Sequence, residues 1–142
     1  MEMSKRRFLI KGTGTDKQAM NQALAKGIHS LNEIDDLVIV VPTFTNINHT
    51  IFADLLLAIN PEMKKSLFKD RMLVLPERKK IQLCSSTTVK DFRRSQGFLV
   101  LSCNAKTIDE IETFDNCELI VALPWNEDEY QQWVSKFNPQ II

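Results

Sequence analysis

The stretch Leu37-Val38-Ile39-Val40-Val41 is apolar at every position, and Phe98-Leu99-Val100-Leu101 repeats the pattern later in the chain. A strand with one face in water alternates apolar and polar residues. An unbroken run of β-branched and aliphatic side chains fits a strand buried on both faces, as in a parallel sheet covered by helices. Working outward from these runs, Arg7–Lys11, Leu37–Val41, Met72–Leu75, Ile81–Cys84, Phe98–Ser102 and Leu119–Leu123 are the candidate strands.

The segments between them carry helical spacing and recognisable ends. Thr15-Asp16-Lys17-Gln18 has the form of a capping box, followed by Met20, Leu24, Ile28 and Leu31 on one face. A second helix is expected to start near Asn46 or Asn48 and to present Ile51, Phe52, Leu55, Leu56 and Ile59. Pro61 halts it, because the residue before a proline disfavours the helical region, and itself opens a short helix capped by Asn60. That helix would bury Met63, Leu67 and Phe68. Thr87 or Thr88 is the expected cap of a segment with Val89 and Phe92. Thr107-Ile108-Asp109-Glu110 reads as another capping box, with Ile108 and Ile111 pointing to the core. Asn126-Glu127-Asp128-Glu129 places a capping residue and three acids before Tyr130, Trp133, Val134 and Phe137, where a helix start favours negative charge.

This alternation predicts one α/β domain over residues 1–142: a three-layer α/β/α arrangement, Rossmann-like or flavodoxin-like, on a mostly parallel sheet of five or six strands. Within residues 72–84, two short strands are separated by only five residues. No crossover helix fits there, so an antiparallel hairpin at a sheet edge is expected, with Pro76 and the charged Glu77–Lys80 run at its exposed tip. Such an edge is compatible with an oligomer.

Composition narrows the function classes. The 142 residues are 44% hydrophobic and 25% charged, values of a folded globular chain, and 18 Lys+Arg balance 18 Asp+Glu. A net charge of zero argues against a protein that coats nucleic acid or an anionic membrane, since phosphate neutralisation needs surplus positive charge. The basic clusters at Glu77-Arg78-Lys79-Lys80 and Arg93-Arg94 lack interleaved aromatic residues for stacking bases, so they read as solvated faces. No apolar run is long enough to span a bilayer, and Phe8-Leu9-Ile10 is too short for the core of a signal peptide. The three cysteines show no CxxC spacing and are odd in number; reduced thiols and a cytoplasmic location are expected.

In open α/β sheets ligands bind beyond the carboxyl ends of the strands, so the residues after each strand matter most. Gly12, Thr13, Gly14, Thr15 and Lys17 follow the first strand. Thr43, Thr45 and Asn46 follow the second. Ser85, Ser86 and Thr87 follow the fourth, and Ser102 and Asn104 the fifth. Hydroxyls, amides and helix starts on one rim form a coherent set for an anion, so these residues are the candidate ligand-binding set for a phosphate-bearing small molecule or nucleotide. The two glycines would let the backbone bend and approach the ligand, the backbone N–H groups of Gly14 to Lys17 would hold the anion, and Lys17 would add charge.

Motif tests are mostly negative. Gly12 to Lys17 lacks the Gly-Lys-Ser/Thr ending of a Walker A loop and the third glycine of a dinucleotide fingerprint. Thr13-Gly14-Thr15-Asp16-Lys17 resembles the hydroxyl-rich phosphate loop of flavodoxins. That resemblance implies an FMN binder, with Phe44 and Trp125 as the aromatics in strand-end loops. No cofactor is assigned from it. His49 and Cys103 are the residues to test for catalysis, a thiol at a helix start being open to a lowered pKa, while burial is the plainer role for Cys103. Histidines and cysteines lack metal-ligand spacing, so no metal site is assigned, and neither is a reaction. The competing function is a non-catalytic interaction domain that meets a protein partner through the edge strand or Trp125, a loop tryptophan being a natural anchor.

Overall fold

The computed structural model describes residues 5–126 and 128–142. Its strands are β1 (Arg6–Leu9), β2 (Asp36–Val41), β3 (Met72–Leu75), β4 (Lys79–Ser85), β5 (Gly97–Leu101), β6 (Leu119–Leu123) and β7 (Gln140–Ile141). They form one sheet in the order β3-β4-β2-β5-β6-β1-β7. Every pairing is parallel except β3 with β4, which run antiparallel with Leu73 opposite Ile81. The three-layer, mostly parallel α/β fold and the edge hairpin of residues 72–84 are therefore present. The two-residue β7 is an addition, created by pairing with β1 rather than by any local pattern.

The unbroken apolar runs feed two cores. Leu37, Ile39 and Val41 of β2, Leu99 and Leu101 of β5, and Leu119, Val121 and Leu123 of β6 face one layer. That layer is built from α1 (Lys17–His29), α2 (Ile51–Ile59) and α3 (Pro61–Asp70). The alternate residues Val38, Val40, Phe98, Val100, Ile120 and Ala122 face the other layer. There α4 (Ala105–Glu112), α5 (Gln131–Phe137) and a 3-10 turn at Val89–Phe92 supply Ile108, Ile111, Trp133 and Val89. Full burial of side chains of this size contributes about 1.5–3 kcal/mol each, which makes the central strands the main stabilising element. Among the described residues no helix is long and apolar enough to cross a membrane.

Helix ends differ from the expected caps in four places. Asp16, not Thr15, caps α1: its carboxylate accepts from the N–H groups of Gln18 and Ala19. The helix after β2 begins at Ile51 with Thr50 as cap, whereas Asn46 adopts a left-handed conformation before a 3-10 turn at Ile47–His49. Asn104, not Thr107, caps α4, and the Thr107 hydroxyl turns back to Asn104 Oδ1. The acids before α5 do not sit on its first turn. Glu127 lies outside the described residues, and Glu129 Oε1 accepts the N–H of Ala105 at 3.0 Å, so its charge serves the start of α4. At α1 and α4 a carboxylate or amide reaches the free N–H groups better than the neighbouring hydroxyl, whereas at α2 the Thr50 hydroxyl does so and accepts from Ala53 N–H. The Asn60–Pro61 start of α3 is as expected. At the 3-10 turn, Thr88 makes no side-chain cap and instead donates to Ser85 O.

Candidate ligand site at the carboxyl rim

β2 leads into α2 on one face of the sheet, and its neighbour β5 leads into α4 on the other. Chains leaving adjacent strands in opposite directions open a crevice between them. A slot of about 170 Å³ lies there. Met20 of α1, Val41 at the end of β2, Ile47, Phe52 of α2 and Leu101 at the end of β5 give it apolar walls. Gly14, Thr43, Thr45, Thr50, Ser102 and Trp125 also line it, and none of the described lining residues carries a charge.

The loop after β1 reaches this slot although β1 is two strands away from β5. Gly14 N–H donates to Pro124 O at 2.9 Å, and Ser102 N–H donates to Leu123 O at 2.8 Å, so both loops are fastened over the end of β6. There they touch. A Cβ built on Gly14 would fall 1.7 Å from Ser102 Oγ, so any larger residue here would force the Ser102 side chain to move. Gly12 has φ +126°, a conformation for which glycine is the natural residue. Ser102 has φ 60°, a left-handed position that costs a non-glycine residue roughly 1 kcal/mol or more. The strain falls at the residue that joins a core strand to the slot.

Of the residues predicted for a site, Gly14, Thr43, Thr45 and Ser102 line this slot together. Gly12, Thr13, Thr15 and Lys17 belong to the same loop and the first turn of α1, outside the slot lining. Thr13 and Thr15 bond each other through their hydroxyls at 3.0 Å. The backbone there is largely engaged: Asp16 N–H donates to Thr13 O, and Asp16 itself occupies Gln18 and Ala19. Asn46 is exposed in the β2 loop. Ser85, Ser86 and Thr87 share the rim on the far side of β2, where Ser86 N–H donates to Val41 O and its hydroxyl to Pro42 O. Ser85 Oγ lies 2.9 Å from Thr87 Oγ1, so that cluster is bonded to itself. Asn104 caps α4 rather than lining the slot.

Met20, Ile47, Thr50 and Phe52 complete the slot and were not among the expected ligand-binding residues. Met20 could have been found as the first large apolar residue of α1, one turn beyond Lys17. The others follow the β2 loop directly, in the 3-10 turn and the first turn of α2. Trp125, noted as a loop aromatic, lines the slot, whereas Phe44 is covered by the Arg71 guanidinium 3.9 Å from its ring centre.

The titratable candidates do not assemble into a nucleophile and base. Cys103 is fully buried, with its thiol toward Val40 O and Leu101 O, and burial pushes it up to about 12. The structural reading of this cysteine therefore holds, and the lowered pKa is overturned because desolvation outweighs the helix start. Cys84 and Cys117 are likewise buried, free and pushed up to about 12. His49 is exposed on the rim. Among the described residues no three His, Cys, Asp or Glu side chains gather where a metal ion would sit.

A separate polar cluster ties the layers together on the other face. Glu112 at the end of α4 accepts from Arg7 Nε at 2.7 Å, from the second Arg7 nitrogen at 2.8 Å, and from Trp133 Nε1 at 2.7 Å. Burial alone would raise the Glu112 carboxyl, but hydrogen bonds from Arg7 and Trp133 and the nearby Arg7 and Lys5 charges hold it below the usual range. The Arg7 guanidinium also covers Phe137 at 4.3 Å. Both carboxylate oxygens of Glu112 are engaged, so the cluster is a clasp between α4, α5 and β1. No family model, curated protein or solved structure matches the chain.

Proposed function

We propose that the chain is a small-molecule-binding α/β protein that takes a phosphate-bearing metabolite or nucleotide at the carboxyl rim of its sheet. The observation that carries this reading is the convergence of Gly14, Thr43, Thr45 and Ser102, from three separate loops, on one slot at the crevice between β2 and β5. Strain held at Ser102 supports it, because unfavourable backbone conformations tend to survive where a ligand needs them. With Asp16 already on the first turn of α1, the anion belongs on the Thr13 and Thr15 hydroxyls and the Lys17 ammonium rather than on bare N–H groups. A thermal-shift screen of nucleotides, FMN and phosphosugars tests the reading, since a ligand raises the melting temperature by mass action. Stabilisation that is lost in Lys17→Ala supports it. No shift across the panel contradicts it.

A second reading, an interaction domain, draws on β3. This edge strand leaves Val74 70% exposed and Met72 40% exposed beside an unpaired backbone edge. Sedimentation at increasing concentration, with Val74→Lys as control, tests whether that edge pairs with another chain.

A further inference from the structure

We propose that the slot beside Ser102 takes an uncharged single six-membered ring under Trp125, leaving the phosphate outside; this rests on the reading of the rim as a ligand site. Size is the first ground. The slot holds about 170 Å³, and a cavity of about 150 Å³ with aliphatic and aromatic walls is known to accept benzene. One ring fills a space of that size, and two fused rings would extend beyond it.

Charge is the second ground. The walls are Met20, Val41, Ile47, Phe52 and Leu101, and no described lining residue is charged. A phosphate, carboxylate or ammonium inside would give up its hydration without an ionic partner, whereas a neutral ring gains by leaving water.

The polar groups at the mouth are hydroxyls. Thr50 Oγ1 donates to Ile47 O at 2.7 Å and accepts from Ala53 N–H at 3.2 Å, so it is committed to capping α2. Thr43 and Thr45 bond each other. Ser102 and the Thr45 O–H, which only accepts in that pair, remain to meet a carbonyl or N–H on the ring edge, and the left-handed backbone of Ser102 sets where its hydroxyl stands. Trp125 lines the mouth yet is 58% exposed, so a ring seated there would cover an indole that otherwise faces water. A pyrimidine-sized ring carrying carbonyl and N–H groups meets all four conditions.

Ligand-observed NMR and tryptophan fluorescence on the full chain test this with uridine, uridine 5′-monophosphate, adenosine 5′-monophosphate and ribose 5-phosphate. The ring protons of uridine 5′-monophosphate should receive saturation from the protein, and Trp125→Ala should weaken its binding by about tenfold. Because Trp125 is largely exposed, that variant should keep the wild-type melting temperature; Thr45→Phe, which obstructs the mouth from an exposed position, should also abolish ring saturation. Ribose 5-phosphate binding as tightly as uridine 5′-monophosphate overturns the ring and leaves the phosphate reading standing. Uridine binding as tightly as its monophosphate supports the ring and overturns the phosphate reading. Adenosine 5′-monophosphate binding equally well overturns the single-ring limit, and no binding by any of the four overturns both.

Discussion

Gly14, in the loop after β1, packs its bare Cα against the side chain of Ser102, in the loop after β5, with the end of β6 beneath them both. This contact brings a distant strand's loop to the crevice at β2 and β5 and gives the slot one of its walls.

Gly14→Val should therefore lower stability by about 1–3 kcal/mol, the usual penalty for forcing atoms into a packed position. Urea unfolding measures it. Adding Ser102→Gly should recover a large part of the loss, since it removes the Oγ that clashes and relaxes the φ of 60°. A double variant as unstable as Gly14→Val alone would mean that the Gly14–Ser102 contact is not the cause.

Glu112→Gln should cost about 2–4 kcal/mol, because it breaks a desolvated pair with Arg7 and disturbs the Trp133 bond. Its pH dependence has a definite sign. The folded carboxyl is held below its ordinary value of 4.5, so its contribution is complete above that value and is lost as pH falls towards the folded pKa. The gap between wild type and Glu112→Gln should be constant near neutrality and close in acid. A gap unchanged at low pH would contradict the assigned ion pair.

The thiols of Cys84, Cys103 and Cys117 should resist a thiol reagent in the native protein at pH 8 and all react in denaturant. With folded values near 12 against an ordinary 9.0, they favour the folded state below pH 9 and lose that contribution as pH rises towards 12. Rapid labelling of one thiol in native buffer would refute this burial.

Val74→Lys should change stability by less than about 0.5 kcal/mol, since the side chain is mostly in water. Chemical denaturation tests this directly. A loss of several kcal/mol would mean that Val74 is covered, as in a tight oligomer.

Much of the fold was legible because the decisive signals were local. The runs of β2 and β5 announced burial on both faces, and the short spacing across residues 72–84 excluded a crossover. The caps were harder. Thr15 and Asp16, or Asn104 and Thr107, are near neighbours that both suit a cap, and a one-residue choice decides which side chain meets the free N–H groups. Long-range pairings left no local trace: β7 is a strand only because β1 runs beside it, and Arg7 meets Glu112 across most of the chain. The same holds at the rim. Sequence order identified the loops that follow the strands, but it could not say that Gly14 would reach Ser102 while the Ser85–Thr87 cluster would bond to itself.

The most direct test of the ligand site is a backbone amide shift map recorded during titration with uridine 5′-monophosphate. Perturbations should concentrate at residues 13–17, 43–50, 101–103 and 125, with the Arg93–Arg94 surface silent. Saturable shifts confined to that basic surface or to β3, with Gly14 and Ser102 unmoved, would contradict the ligand site.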